Sequence, residues 1–203
     1  MDTRLRILKE AGILFSRLGI KSVTMDYIAN HLGVSKRTIY ELFSDKDDLL
    51  SQAFDEFTKF HRTEMFNIIE ESENVIEAIV NFSRLHNEML SKIHPLFMSD
   101  LKKYHNKVYK NLVKTGMLND EMFSKLILTK GVEEGVFRSD IDIKLANVFF
   151  LEAMRFCFNK NNKEMEGFST DQIVKTVFLP YLRGISTEKG LDILKNANFE
   201  NLQ

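Results

Sequence analysis

Apolar residues recur every three or four positions along most of this chain, which is the spacing of one face of an α-helix. In the first segment Leu5, Leu8, Ala11, Phe15 and Leu18 follow this spacing, and Gly19 comes next as an expected helix end. No segment of useful length alternates apolar and polar residues as a half-buried strand does. The pattern therefore predicts an all-α fold.

The stretch IANHLGVSKRTIYELF, residues 28–43, contains two short helical patterns separated by Gly33. Thr24 and Ser35 stand where a side-chain oxygen caps the start of each helix. Two short helices joined by a turn with glycine are typical of a helix-turn-helix, although a plain helical hairpin has the same apolar pattern. The predicted inner faces comprise Ile28, Ala29, Leu32, Val34, Ile39, Leu42 and Phe43.

The polar residues of the second helix favour double-stranded DNA as the partner. In a helix-turn-helix this helix enters the major groove with its N-terminal residues toward the bases. Lys36 and Arg37 can donate to guanine O6 and N7, and the hydroxyls of Ser35, Thr38 and Tyr40 can donate to phosphates. An ordinary solvated helix face explains the charges but not an exposed tyrosine.

Lys46 stands at the expected start of a fourth helix, beside Asp45, Asp47 and Asp48. The helix macrodipole disfavours a cation there, whereas a phosphate docked on the free N–H groups would favour one. The alternative is a surface ion pair between Lys46 and the neighbouring aspartates.

Further helical patterns give about nine helices in all. We expect a DNA-binding domain over residues 1–46 and a larger helical domain for effector binding and dimerisation over residues 47–203. The later helices are expected over about 46–71, 75–90, a short segment opened by Pro95, 106–134, 143–158 and 171–185.

The segment 143–158, IKLANVFFLEAMRFCF, has twelve apolar residues in sixteen, so it needs cover on more than one side. A second copy of the chain is the simplest cover, and a large monomeric core is the alternative. We expect a two-fold homodimer through the last two long helices, about 142–160 and 170–185, the second bent at Pro180.

Aromatic and methionine side chains of the larger domain are candidates for an apolar effector pocket between helices. Each has core packing as its alternative. The candidates are Phe82, Phe97, Met98, Tyr104, Met122, Phe123, Phe149 and Met154.

Composition narrows the function classes. The 203 residues carry a net charge of −1, but residues 1–46 hold eight Lys/Arg against five Asp/Glu, a local excess that suits a polyanion. A single cysteine, an N-terminus unlike a signal peptide and no apolar run beyond VFFL predict a soluble cytoplasmic protein without a membrane span. Scattered histidines and the lack of a nucleophile motif predict no metal, cofactor or enzyme activity.

The segment TMDYIANHLGVSKRTIYELFSDKDDLL, residues 24–50, resembles the N-terminal DNA-binding segment of the TetR family of bacterial transcriptional regulators. GVEEGVFRSDID, residues 131–142, is similar to the junction before the last two helices in many members. The resemblance implies a dimeric, all-helical repressor with an effector pocket. It assigns base contacts to Lys36 and Arg37 and phosphate contacts to Thr24, Thr38, Tyr40 and Lys46.

Two neighbouring positions depart from the family pattern, because Glu41 stands where many members have a second aromatic residue after the tyrosine and Leu42 stands where they have a histidine beyond it. We expect a repressor that holds a palindromic operator as a dimer and is released by a small apolar effector. The alternatives are a DNA-binding regulator without a small-molecule ligand and a helical protein-interaction module.

Overall fold

The computed structural model describes residues 2–115, 121–158 and 167–199, which form eleven helices and no strand. The tenth helix is continuous through three consecutive pieces, the middle one a π-helical turn. The helices are α1 (Thr3–Leu18), α2 (Met25–Leu32), α3 (Lys36–Leu42), α4 (Lys46–Glu71), α5 (Val75–Ser91), α6 (Phe97–Tyr104), α7 (Asn106–Thr115), α8 (Glu121–Glu133), α9 (Ile143–Phe158), α10 (Thr170–Ile173, Val174–Phe178 and Leu179–Ile185) and α11 (Glu188–Asn196).

The all-α prediction is confirmed, but the count of about nine helices is low by two. The single helix expected over 106–134 is described as α7 and α8, with residues 116–120 outside the described part. Helix α11, which contains Gly190, lies beyond the last helix expected from the sequence. A Cβ at Gly190 would lie 2.2 Å from the Val136 carbonyl oxygen, so the glycine allows a close approach of two backbones.

The chain packs as two compact units. Unit 1 comprises residues 1–63 and 90–118, and unit 2 comprises residues 64–89 and 119–203. Helices α4 and α5 each pass from one unit into the other, so this division differs from the functional boundary expected after residue 46. That functional boundary stays a prediction, since a packing unit does not define an activity.

Unit 1 has one hydrophobic cluster that joins α1–α3 and the start of α4 to α6 and α7. Phe15 and Phe43 belong to it together with Phe97 and Leu101 of α6 and Val108 and Leu112 of α7. Burying each such side chain contributes about 1.5–3 kcal/mol. Helices α6 and α7 are therefore part of the same core as the helix-turn-helix.

Two details of helices α1 and α6 differ from the expectation. Leu18, expected on the inner face of α1, is 43% exposed, while Ile7 and Leu14 take buried places. Helix α6 begins at Phe97, two residues after Pro95. The intervening turn is held by the His94 backbone N–H, which donates to the Ser16 carbonyl at 2.6 Å.

In unit 2, α9 and α10 pack through aromatic rings. The Phe150 and Phe178 ring centroids lie 5.3 Å apart, edge to face, and the Tyr181 hydroxyl donates to the Ala146 carbonyl at 2.9 Å. Pro180 follows the π-helical turn Val174–Phe178, so the helix accommodates its missing N–H by widening.

Candidate nucleic-acid interface

The turn between α2 and α3 has the geometry that the sequence predicts. Thr24 caps α2 by accepting from the Tyr27 N–H at 3.0 Å, and Ser35 caps α3 by accepting from the Thr38 N–H at 3.0 Å. Gly33 between them has φ +65°, a left-handed backbone conformation that residues other than glycine rarely adopt. Its N–H donates back to the last turn of α2, so the chain reverses without a buried unpaired group.

Helix α3 faces the core with one side and solvent with the other. Ile28 and Ile39 are fully buried where the two helices pack. Lys36, Arg37 and Tyr40 are exposed on the opposite side of α3. Within unit 1 the outer face of α3 is therefore accessible to a partner.

Both predicted base-reading cations are paired with carboxylates. Lys36 Nζ lies 2.8 Å from Asp26 Oδ1, and its hydrogen bond to this carboxylate raises the pKa of Lys36. Arg37 Nε donates to Glu41 Oε1 at 2.7 Å, although the Arg37 side chain is 87% exposed. DNA acceptors therefore compete with two internal carboxylates for these cations, each of which keeps further N–H donors.

The small hydroxyl groups have local structural partners. Ser35 Oγ caps α3 and also lies 2.8 Å from Thr38 Oγ1, which is half-buried. Tyr40 is exposed, and Lys36 Nζ lies 5.9 Å from its ring centroid. Phosphate contacts by these residues stay predictions.

Lys46 is half-buried and holds the start of α4 against the α1–α2 turn. Its Nζ donates to the Ile20 carbonyl at 2.5 Å and lies 5.7 Å from the Phe15 ring centroid. Desolvation lowers the pKa of Lys46, and the nearby carboxylates of Asp100 and Asp47 oppose that shift. Because an ammonium group has three N–H donors, a phosphate contact remains a prediction beside this structural role.

Of the eight effector candidates, three belong to unit 1 and five to unit 2. Phe97, Met98 and Tyr104 belong to unit 1, where Phe97 is buried in the core and Met98 packs against it. Tyr104 is exposed, with Lys21 Nζ and Lys103 Nζ at 5.5 Å and 5.2 Å from its ring centroid. Its surroundings are those of a charged surface rather than an apolar pocket.

The other five candidates belong to unit 2. Phe82 and Phe123 are buried and stack with centroids 4.1 Å apart, while Phe149 is exposed and Met154 half-buried on α9. An apolar concavity of about 10 Å³ lies between α4 and α8. It is lined by Met65, Phe66, Ile69, Met122, Phe123 and Leu126, so only two candidates border it.

Asp26 and Glu41 are the interface residues whose roles the sequence did not reveal. The four-residue spacing of Arg37 and Glu41 is a usable signal, because residues i and i+4 are neighbours on a helix. The Asp26–Lys36 pair joins different helices, so only the packing of α2 on α3 shows it.

Two kinds of site are lacking among residues 2–115, 121–158 and 167–199, the part of the chain that the structure describes. No group of three or more His, Cys, Asp or Glu side chains there is arranged to hold a metal ion. No helix in those ranges has both the length and the apolar character needed to cross a bilayer.

Comparisons with known proteins agree with this geometry. Residues 7–53 match the family model described as bacterial regulatory proteins, tetR family. The chain is 24% identical over 188 residues to the uncharacterized HTH-type transcriptional regulator YvaF of Bacillus subtilis strain 168. The aligned residues cover 92% of this chain and 97% of YvaF. The chain is also 26% identical over 151 residues to the HTH-type transcriptional repressor KstR2 of Rhodococcus jostii RHA1, covering 70% and 72%.

Solved structures show the same fold. The fatty acid degradation regulator FadR of Bacillus halodurans superposes with a TM-score of 0.64 at 21% identity, covering 91% of this chain and 97% of FadR. At this identity the likeness concerns the fold alone.

Proposed function

This chain belongs to the TetR family of bacterial transcriptional regulators, a family of DNA-binding regulators rather than enzymes, and we propose that it is a ligand-responsive repressor. It binds a palindromic operator as a homodimer and is released by a small apolar effector. The observation that carries the proposal is the exposed N-terminal turn of α3, with Lys36 and Arg37 at its outer face.

Base contacts belong to Lys36 and Arg37, whose donors suit guanine O6 and N7. Thr24, Ser35, Thr38, Tyr40 and Lys46 contact phosphates around them and set the register of α3 in the groove. On binding, the pairs with Asp26 and Glu41 are exchanged for pairs with DNA, so the released carboxylates must turn away from the phosphates.

Dimerisation is supported by an apolar face on α9 and α10. Leu145 is 70% exposed on α9, and Val148 and Phe149 are exposed on the same helix. The Phe149 ring lies 4.8 Å from the Tyr181 ring of α10, so the apolar face extends over both helices. A second copy covers this face through isologous contact.

The effector acts by preferring one of two dimer states, and it shifts the equilibrium only as far as that preference allows. Unit 2 offers the apolar concavity between α4 and α8 as its entry point. Because about 10 Å³ barely holds one water, the effector has to separate these helices. Helix α4 continues into unit 1, which gives the displacement a covalent path to the DNA-binding helices.

The small volume of that concavity also favours a second candidate function. A regulator controlled by a partner protein, or by its own abundance, needs no ligand cavity. An apolar effector library screened by thermal shift separates the two candidates, since a bound effector raises the melting temperature by mass action.

Selection from random duplex DNA tests the proposal directly. We expect the full-length protein to enrich a palindrome whose half-sites lie about 34–36 Å apart, one helical turn or a multiple of it. The Arg37→Ala variant should lose about 1–3 kcal/mol at one base position and relax the preference there.

The matched control is Lys195→Ala, which removes an exposed cation of α11 in unit 2. This control should enrich the same palindrome as the wild type. If no sequence is enriched even at low salt, the helical protein-interaction module becomes the better description.

A further inference from the structure

The charges of this chain are divided unequally between its two units. Unit 1 carries sixteen Lys/Arg and ten Asp/Glu, whereas unit 2 carries twelve Lys/Arg and nineteen Asp/Glu. Most of the excess in unit 1 comes from residues 90–118, which hold six lysines and one acidic residue, Asp100. The near-neutral total conceals a strongly basic segment, whose helices α6 and α7 contribute apolar side chains to the core of the helix-turn-helix unit.

Five lysines of unit 1 form what we call the α6–α7 lysine surface. All five are exposed, and none makes an ion pair with a carboxylate among the residues that the structure describes. Lys36 and Arg37 of α3, by contrast, are both paired. The members of the surface are Lys21, Lys102, Lys103, Lys107 and Lys110.

Helix electrostatics explains only part of this surface. Lys102 and Lys103 lie in the last turn of α6, where the macrodipole favours cations. Lys107 lies in the first turn of α7, where the macrodipole disfavours one. Lys110 is one turn further on the same face, so the two ammonium groups repel each other. An anionic partner removes this repulsion.

The surface adjoins a predicted phosphate contact. Lys21 Nζ and Lys103 Nζ both approach the Tyr104 ring, and the Lys21 N–H donates to Asp100 Oδ2 at 3.0 Å, which fixes α6 to the α1–α2 turn. Thr24 is three residues after Lys21, a span of at most about 11 Å of chain. Lys21 of the α1–α2 turn and Lys103 of α6 therefore share one aromatic ring, and Lys21 lies close in sequence to Thr24.

We propose that the α6–α7 lysine surface binds DNA phosphates beside the site of α3, supplying affinity without reading sequence. The inference rests on the proposed DNA-binding function and adds a second contact area to it. Unpaired, exposed ammonium groups suit this role, because each neutralised phosphate releases condensed counterions and no internal ion pair has to be broken.

The test compares two double variants of the full-length protein. Lys103→Gln with Lys107→Gln removes two charges from the surface and keeps most of each side chain. Lys125→Gln with Lys195→Gln makes the same charge change on exposed residues of unit 2 and is the control. Binding to the selected operator and to an unrelated duplex is measured from 50 to 200 mM salt.

For the surface variant we expect the plot of log affinity against log salt to become less steep, by about 0.9 per lysine, on both duplexes. Between 50 and 200 mM salt, the factor by which its affinity decreases should then be about ten times smaller than the factor for the wild type. The ratio of operator to unrelated affinity should be unchanged, because phosphate contacts carry no sequence information.

A slope equal to the wild-type slope, or an equal change in the control, overturns the inference. These outcomes leave the proposed function intact, since that function fails only if the wild type does not distinguish the operator from the unrelated duplex. Unchanged melting temperatures of both double variants show that altered binding is not unfolding.

Discussion

At the scale of single residues, the outer face of α3 is close to electrically neutral before DNA arrives. Glu41 accepts from Arg37, and Asp26 holds Lys36 across the helix pair. Exposed ion pairs add little to folding stability. Their larger effect is on recognition, because a ligand that displaces both carboxylates must replace their hydrogen bonds with equally good ones.

Glu41→Gln should therefore reduce the discrimination between operator and unrelated DNA rather than strengthen binding to the operator alone. The variant frees Arg37 from its partner, and we expect about two- to fivefold tighter binding to unrelated duplex DNA, the range that an exposed ion pair corresponds to. The operator-to-unrelated affinity ratio should fall. Fluorescence anisotropy with both duplexes at one salt concentration measures the effect.

Glu56→Gln is the matched control, since it removes another paired carboxylate of unit 1, the partner of Lys59 on α4. If this control tightens binding as much as Glu41→Gln does, net charge explains the change and the specific pair does not.

At the scale of elements, α10 accommodates a proline in its interior. A proline inside a helix removes a hydrogen bond, and here a π-helical turn precedes Pro180. The next residue, Tyr181, lies against α9 and donates to the Ala146 carbonyl. Burial raises the pKa of Tyr181 to about 12, so its phenol stays neutral in the folded chain where an unfolded tyrosine ionises.

This shift predicts a loss of stability in alkaline solution. Between about pH 10 and pH 12 the unfolded chain binds fewer protons than the folded chain, so the free energy of unfolding decreases as the pH rises. Tyr181→Phe lacks the phenol and its hydrogen bond, which costs about 0.5–1.5 kcal/mol at neutral pH. Urea unfolding of both proteins at pH 8 and pH 11 should show the difference between them shrinking at pH 11.

An equal difference at the two pH values would mean that Tyr181 ionises alike in the folded and unfolded chain. At pH 8, where the phenol is neutral in the folded and the unfolded chain, the difference between the two proteins reports the lost hydrogen bond to the Ala146 carbonyl.

At the scale of the whole molecule, the proposed repressor depends on pairing two copies. One α3 reads one half-site, and two copies are needed to present two such helices at a helical-turn spacing. The exposed apolar side chains of α9 and α10 are the surface available for that pairing. Burial of such a face is the main favourable term in association.

Leu145→Glu should convert the protein to a monomer and weaken operator binding with it. The substitution places a charge in the centre of the proposed interface, where it has no partner, while the free subunit keeps it in solvent. Sedimentation equilibrium measures the mass. Leu96→Glu, at a leucine of unit 1 that is 57% exposed, is the control and should leave the dimer unchanged.

A wild-type protein that sediments as a monomer at micromolar concentration contradicts the proposal, as does an unchanged dimer mass for Leu145→Glu.

Much of the fold follows from local pattern. The bounds of α4 and α9 match the expected helices, and the caps at Thr24 and Ser35 lie where their residue types predict. A local signal fails at Leu18, whose spacing suggests burial but whose side chain is exposed. Aromatic residues at helical spacing serve a core as readily as a pocket, and accordingly Phe123 is buried whereas Tyr104 and Phe149 are exposed.

The sequence by itself determined the helical class, the capped helix-turn-helix and the residues on the outer face of α3, because these depend on interactions within a few positions of the chain. Only the tertiary structure decided that α6 and α7 share the core of the helix-turn-helix unit and that Asp26 holds Lys36. Such contacts join residues far apart in sequence, and they are selected by how helices pack, which no local periodicity encodes.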